Sequence, residues 1–154
     1  MKVLLLNGSP RKNGCTYTAL NVVADALKAE GIDAEVFQAG DPDMENVKAA
    51  AAKLKDSDAL VVGSPVYWAS PSGQIIEFMD RLASVAGKDM LYKPAAAVAS
   101  ARRAGTTATL DVLTKYFSYH QMPVVSSCYW NMVHGNTPDE VMKNEEGVQL
   151  MRVL

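Results

Sequence analysis

The first twenty residues of the chain constrain its fold more than any other stretch, because they combine a strand, a tight loop and a helix start. Residues 3–6 form a short continuous apolar run, as expected for a central parallel strand covered on both faces. Small and polar residues then interrupt this run at Gly8, Pro10, Asn13 and Gly14. A helix is expected to follow through Leu20, Val23 and Leu27 and to end at Gly31, with Thr16 or Thr18 as its cap.

The loop between this strand and this helix is suited to an anion. A helix N-terminus presents unpaired backbone N–H groups and the positive end of the helix dipole. Ser9, Thr16 and Thr18 add hydroxyl donors, and the planar guanidinium of Arg11 can hold two phosphate oxygens. The alternative is an ordinary strand-to-helix turn with a stray basic residue. We favour a phosphate site.

The absence of two sequence motifs indicates which class of phosphate ligand the loop could bind. The loop lacks G-x-x-x-x-G-K-[ST], so the lysine cradle of a nucleoside triphosphatase is absent. It also lacks G-x-G-x-x-G, the glycine spacing that allows close approach to a pyrophosphate. A hydroxyl-rich loop without these glycines better suits a terminal phosphomonoester.

The loop sequence Asn-Gly-Ser-Pro-Arg-Lys-Asn-Gly-Cys-Thr at residues 7–16 resembles the FMN-phosphate loop of the flavodoxin-like NAD(P)H-dependent FMN reductases. Two later segments resemble the same family, so the likeness covers most of the chain. The resemblance implies that the cofactor is FMN and the co-substrate NAD(P)H. In the first loop it implies cofactor contacts from Ser9, Arg11, Asn13, Cys15 and Thr16.

The rest of the chain alternates between strand and helix patterns. Further strands are expected at 32–37, 58–63, 94–100 and 122–126, and helices at 44–55, 75–82, 107–118 and from 139 or 140 to the end. Such alternation implies right-handed crossovers and a doubly wound parallel sheet. We therefore predict one α/β domain over residues 1–154, flavodoxin-like, with five parallel strands in the order 2-1-3-4-5 and helices on both faces. Its ligand should lie where the strand order reverses.

The segment Ser64–Gln74 follows the third predicted strand, at the edge where such a ligand lies. Prolines stiffen it, and Tyr67 and Trp68 supply flat aromatic surface. It resembles the family motif Ser-Pro-x-Tyr-x-x-x-x-Ser-Gly, and the resemblance implies that the flavin ring is lined by Pro65, Val66, Tyr67 and Trp68. A dimer contact is the alternative role for the aromatic residues, and the two are compatible. The stretch 72–74 is expected to start the next helix.

The segment Ser100–Thr107 follows the fourth predicted strand on the same edge. Its paired arginines are compatible with solvated surface charge. It resembles, however, the family segment beside the flavin pyrimidine edge, which implies contacts from Ser100, Arg102, Arg103 and Gly105. A cation there would stabilise the negative charge that develops when the flavin is reduced. Between the two arginines, we expect Arg103 to turn inward.

Composition excludes several other functions. A net charge of −2 argues against nucleic acid or an anionic membrane as the partner. No apolar run approaches 18 residues and no signal peptide is recognisable, so a cytoplasmic location is expected.

The two cysteines make no metal or disulfide framework. Many family members carry clustered cysteines after the second strand, whereas residues 39–45 here contain none, so we expect no iron–sulfur cluster and no metal site. For Cys15 we favour the role of a small loop residue, the alternative being a thiol with a depressed pKa and a redox role beside the helix N-terminus and Arg11. We expect Cys128 to pack as an apolar residue.

The resemblance implies an FMN-dependent enzyme that passes electrons from NAD(P)H to a quinone, a nitroaromatic compound, a free flavin or a similar small acceptor. It also implies a homodimer in which the partner walls the nicotinamide site. The alternative is a flavodoxin-type electron carrier, against which the modest net charge and the paired arginines argue. A phosphatase is excluded because the residue five positions after Cys15 is Leu20 rather than arginine. The acceptor and the choice between NADH and NADPH remain open from the sequence.

Overall fold

A computed structural model describes all residues from 1 to 154. Its strands are β1 (Lys2–Asn7), β2 (Asp33–Gln38), β3 (Ala59–Tyr67), β4 (Ser70–Pro71), β5 (Ala95–Ala101) and β6 (Met132–His134). Its helices are α1 (Cys15–Ala29), α2 (Met44–Lys55), α3 (Gly73–Met90), α4 (Thr106–Tyr119), α5 (Pro138–Lys143) and α6 (Glu145–Val153). None of these helices is both long enough and apolar enough to cross a membrane.

The five parallel strands are ordered β2-β1-β3-β5-β6, which confirms the predicted α/β class and strand order. The additional strand β4 was not predicted. It is two residues long and pairs antiparallel with the end of β3, so it forms a short hairpin. The strand order reverses between β1 and β3, and a crevice is expected there at the carboxyl ends of the strands.

Helices cover both faces of the sheet, and alternate residues of β1 point to opposite faces. Leu4 and Leu6 pack with residues of α2, α3 and α4, including the fully buried Phe78. Leu5 packs on the other face with residues of α1, α5 and α6, including Leu20. This double burial explains why β1 is a continuous apolar run rather than an alternating one.

The position of the fifth parallel strand differs from the prediction. Residues 122–126 form only one isolated bridge, between Val124 and Ala95, and the regular strand is Met132–His134. Between them the chain leaves the sheet, and the buried side chain of Asn131 donates a hydrogen bond to the carbonyl of Ala97 (3.1 Å). A side-chain amide thus supplies the hydrogen bond to a carbonyl of β5 that a neighbouring strand would otherwise provide. No apolar run in the sequence marks the place where the regular strand begins.

The predicted closing helix is divided into α5 and α6 at Asn144, whose φ of −78° and ψ of 76° are not helical. The side-chain oxygen of Asn144 accepts a hydrogen bond from the backbone N–H of His134 (3.0 Å). The break therefore ties the closing helices to the end of β6. The two short helices pack against α1 on one face of the sheet.

Candidate functional site

Four loops meet around a cleft of about 190 Å³ at the carboxyl edge of the sheet. Nine of the thirteen predicted site residues lie on its walls: Ser9, Arg11, Cys15, Thr16, Pro65, Val66, Tyr67, Ser100 and Arg102. The other four, which do not line it, are Asn13, Trp68, Arg103 and Gly105. The structure thus brings together predicted residues that are up to 93 positions apart in the sequence, from Ser9 to Arg102.

The N-terminus of α1 reaches this cleft without a side-chain cap. Its N-cap residue is Gly14, and its first turn contains no acidic side chain. The predicted cap by Thr16 or Thr18 is wrong, because the hydroxyl of Thr18 donates to the carbonyl of Gly14 (3.1 Å) and that of Thr16 pairs with Ser100. The backbone N–H groups of the first turn therefore have no partner within the helix, and the helix dipole is uncompensated at this end.

Hydroxyl groups beside the helix end retain donors. The Oγ of Ser9 accepts a hydrogen bond from the backbone N–H of Arg11 (3.1 Å), which leaves the serine hydroxyl hydrogen available. The hydroxyls of Thr16 and Ser100 are 2.7 Å apart and both are buried. That pair uses one of its two hydroxyl hydrogens, so the second remains available to a ligand. The cleft therefore offers hydrogen-bond donors besides its backbone N–H groups.

The charges on the cleft walls are all positive. Arg11 and Arg102 are the charged residues that line it, and no carboxylate does so. Neither arginine takes part in any of the three ion pairs of the structure. It is Arg102 rather than Arg103 that lines the cleft, opposite to the preference drawn from the sequence. Two unpaired guanidinium groups and an uncapped helix N-terminus make the cleft suitable for an anion.

The β3–β4 hairpin forms one rim of the site and has an unusual turn. Its two central residues, Trp68 and Ala69, both have positive φ values, of 52° and 54°. Residues other than glycine adopt this backbone conformation at a cost in free energy, and such strain is found near functional sites. The turn places Trp68 fully in solvent, so it does not contact the cleft.

Gly105 holds this hairpin against the start of α4. Its φ is +100°, and a Cβ there would lie 2.8 Å from the Cα of Ala69 and from Cγ1 of Val66. Only glycine allows this close approach in this conformation. Gly105 therefore supports the hairpin rather than lining the cleft. As predicted, α3 begins at this loop, with Ser72 as an N-cap whose Oγ accepts from the N–H of Ile75 (3.2 Å).

Three residues on the cleft walls were missed from the sequence. Ala101 is the last residue of β5, and Gly135 and Asn136 follow β6 directly. The loop after β6 was missed because the fifth strand was placed about ten residues too early. Had β6 been located, its following loop would have been expected at the same edge as the other three.

The two cysteines lie in different surroundings. Cys15 lines the cleft, and its thiol lies 3.7 Å from the carbonyl oxygen of Gly135. Burial raises the pKa of Cys15, and this outweighs the lowering by a backbone hydrogen bond and by Arg11. This contradicts the alternative of a depressed pKa, and the thiol stays protonated near neutral pH. The prediction for Cys128 is wrong, because this residue is exposed and does not pack in the core.

Two larger grooves, of about 730 and 770 Å³, lie along α3 and α4. One contains Asp80, which accepts a hydrogen bond from the hydroxyl of Tyr116 (2.5 Å). Burial, with this hydrogen bond and the charge of Asp80, raises the pKa of Tyr116. Neither groove includes a residue of the four loops at the carboxyl edge. We therefore place the candidate site in the smaller cleft, where free donors and positive charge coincide.

Comparison with known proteins agrees with this fold. Residues 1–137 match a family model described as NADPH-dependent FMN reductase. An iron–sulfur flavoprotein of Methanocaldococcus jannaschii is 27% identical, over 100% of this chain and 93% of that protein. An NADPH azoreductase of a Bacillus species is 30% identical over 108 residues, which are 66% of this chain and 59% of that protein. The flavoenzyme NAD(P)H:(acceptor) oxidoreductase FerB from Paracoccus denitrificans has the same fold, with a TM-score of 0.73 and 17% identity over 97% of this chain and 96% of that one.

Proposed function

Because this chain belongs to the NADPH-dependent FMN reductase family, we propose that it is an FMN-dependent oxidoreductase that passes electrons from NAD(P)H to a small aromatic acceptor. FMN is the cofactor of the family, and a reduced nicotinamide is its electron donor. When bound, FMN supplies the two-electron chemistry that links the donor to the acceptor. The protein then has to bind the cofactor, orient it and stabilise the charge that develops on it.

The observation that carries the proposal is the positive, carboxylate-free cleft at the uncapped N-terminus of α1. A phosphomonoester needs several donors and at least one cation, and the cleft offers both. We assign the phosphate to the first-turn N–H groups, Ser9, Arg11 and the Thr16–Ser100 hydroxyl pair. These groups fit the terminal phosphate of FMN, and no carboxylate on the cleft walls competes with the phosphate for them.

The flavin ring is assigned to the part of the cleft lined by Pro65, Val66, Tyr67 and Arg102. An aromatic ring packs well against the apolar part of this surface. In this assignment the guanidinium of Arg102, which lines the cleft, would stabilise negative charge at the pyrimidine edge. No side chain of the cleft is needed as a general acid or base, so these residues act by binding and electrostatics.

The proposed acceptors are quinones, nitroaromatic compounds and flavins, and the azoreductase relative adds azo compounds to this class. Flat aromatic acceptors suit a site with Tyr67 on its wall and Trp68 on the adjacent rim. We retain the prediction that no iron–sulfur cluster is present. The chain has two cysteines, whereas such clusters are held by four thiolates.

Steady-state turnover with a panel of acceptors tests this proposal. The FMN-loaded protein should catalyse many cycles of NAD(P)H oxidation with at least one quinone, nitroaromatic, flavin or azo compound under anaerobic conditions. The apoprotein should be inactive until FMN is added. If no acceptor supports turnover while a reduced electron-transfer protein still exchanges single electrons with the flavin, the electron-carrier alternative is correct.

We further propose that the protein is a homodimer. Trp68 is fully exposed and Trp130 is 55% exposed, although aromatic side chains of this size are costly to leave in water. A second copy packed on this rim would cover them and would close the open side of the site. Light scattering at micromolar concentration is expected to give twice the mass of one chain. A single-chain mass at all concentrations tested would contradict this proposal.

A further inference from the structure

We propose that the side-chain amides of Asn7 and Gln38 form a clamp that holds the first loop in its phosphate-binding shape before the cofactor arrives. This inference rests on the proposed function, because the loop is the one to which we assign the phosphate. The two residues are the last of β1 and β2, and the parallel register places them side by side. The clamp lies beneath the loop rather than on the cleft wall, so both are positioning residues.

Asn7 contacts the first loop at two points. Its side chain is fully buried, and its Oδ1 accepts a hydrogen bond from the backbone N–H of Ser9 (3.2 Å). Its Nδ2 donates to the carbonyl of Lys12 (3.3 Å) and to Oε1 of Gln38 (2.7 Å). One amide thus joins both arms of the loop, and both of its donor hydrogens are used.

Gln38 completes the clamp from the neighbouring strand. Its Nε2 donates to the carbonyl oxygen of Ser9 (2.7 Å), while its Oε1 accepts from Asn7. Gly40 lies so close to this carbonyl that a Cβ there would be 2.0 Å from the oxygen. The backbone of Ser9 is therefore held on both sides, because its N–H donates to Asn7 and its carbonyl accepts from Gln38.

Fixing Ser9 also fixes the groups assigned to the phosphate. The Oγ of Ser9 accepts a hydrogen bond from the N–H of Arg11, so the position of Ser9 also determines the backbone path through the next two residues. A loop that must order itself on binding spends part of the binding free energy on lost conformational freedom. The clamp removes this cost, and its effect should therefore appear only with ligands that reach the loop.

The test uses Gln38→Met, which keeps the length and shape of the side chain but removes both amide contacts. Asn46→Leu is the matched control. The amide of Asn46 donates to two backbone carbonyls, those of Gln38 (2.9 Å) and Asp41 (2.8 Å), and contacts no residue of the first loop. Both variants thus lose two amide hydrogen bonds close to the end of β2, and only one of them loses contacts to the loop.

Dissociation constants for FMN and for riboflavin, which lacks the phosphate, are measured with each apoprotein. For Gln38→Met we expect the FMN constant to rise about tenfold, roughly the net contribution of one hydrogen bond, and the riboflavin constant to change less than twofold. Hydrogen exchange at the Arg11 amide of the apoprotein should accelerate at least about tenfold. Asn46→Leu should leave the ratio of the two constants and the Arg11 exchange rate unchanged.

Three outcomes would overturn the inference. Equal weakening of FMN and riboflavin would mean a general loss of structure, and unchanged FMN binding and Arg11 exchange would mean that the loop holds its shape without the clamp. If the wild-type protein binds FMN no more tightly than riboflavin, the assignment of the phosphate to this cleft fails and the inference fails with it. Should Gln38→Met not fold, Gln38→Asn, whose amide is one methylene too short to reach Ser9, takes its place with the same expectations.

Discussion

Replacing Arg11 with alanine is expected to weaken FMN binding by about 1.5–3 kcal/mol, or roughly ten- to 150-fold in the dissociation constant. Arg11 is the only arginine of the first loop, it lines the cleft, and no carboxylate competes for its guanidinium. A charge-assisted hydrogen bond to a phosphate dianion would therefore be lost without a replacement. Fluorescence titration of the apoprotein with FMN measures the effect directly.

Riboflavin and a neighbouring cation provide the controls for this prediction. Riboflavin should bind Arg11→Ala and the wild type almost equally, because it has no phosphate. Lys12→Ala removes an equal charge from the same exposed loop, but Lys12 does not line the cleft. That variant should retain FMN binding to within about threefold, because solvent screens a charge outside the cleft. An unchanged FMN constant in Arg11→Ala would show that the phosphate lies elsewhere.

Replacing Arg102 with alanine is expected to lower the two-electron midpoint potential of the bound flavin by about 20–65 mV. The guanidinium interacts weakly with the neutral oxidised ring and strongly with the negative charge of the reduced one. An electrostatic difference of this kind is typically worth about 1–3 kcal/mol, and about 1.4 kcal/mol corresponds to roughly 30 mV for a two-electron couple. Reduction by NAD(P)H should slow, while affinity for oxidised FMN should change much less. Potentiometric titration measures the shift.

Arg103→Ala is the matched control for Arg102→Ala. Arg103 is the adjacent residue, carries the same charge and is exposed, but it does not line the cleft. Its replacement should move the potential by less than about 10 mV, because Arg103 lies outside the cleft and solvent screens its charge from the flavin. If the two single variants and the double variant all keep the wild-type potential and reduction rate, both arginines are solvated surface charge. Backbone N–H groups alone would then stabilise the negative charge at the pyrimidine edge of the reduced flavin.

The central part of the fold could be predicted because its signals are local. Continuous apolar runs mark strands such as β1 that are buried on both faces, and alternation with helices leaves few possible topologies. The end of the sheet could not be predicted in the same way. There the chain departs between Val124 and Met132, and the buried amide of Asn131 replaces backbone pairing. In the sequence, a loop residue whose side chain hydrogen-bonds to a strand cannot be distinguished from any other polar loop residue.

The candidate site shows the same division. Residues in loops directly after the correctly located strands, such as Arg11 and Arg102, were placed on the cleft, whereas Gly135 and Asn136 were missed with the displaced strand. The pairing of Asn7 with Gln38 could not be anticipated. It depends on the register between β1 and β2, which brings together residues 31 positions apart. Register and side-chain orientation are products of tertiary packing rather than of local sequence.

Anaerobic rapid mixing of the FMN-loaded protein with NADPH, and separately with NADH, tests the central claim most directly. The flavin absorbance at about 450 nm, where oxidised flavins generally absorb, should disappear completely in a fast phase with at least one nicotinamide. The phase should slow in Arg102→Ala, and two electrons should be taken up per flavin. An absorbance that persists with both nicotinamides, or that falls slowly to a stable one-electron-reduced flavin, would contradict the proposed enzyme and indicate an electron carrier.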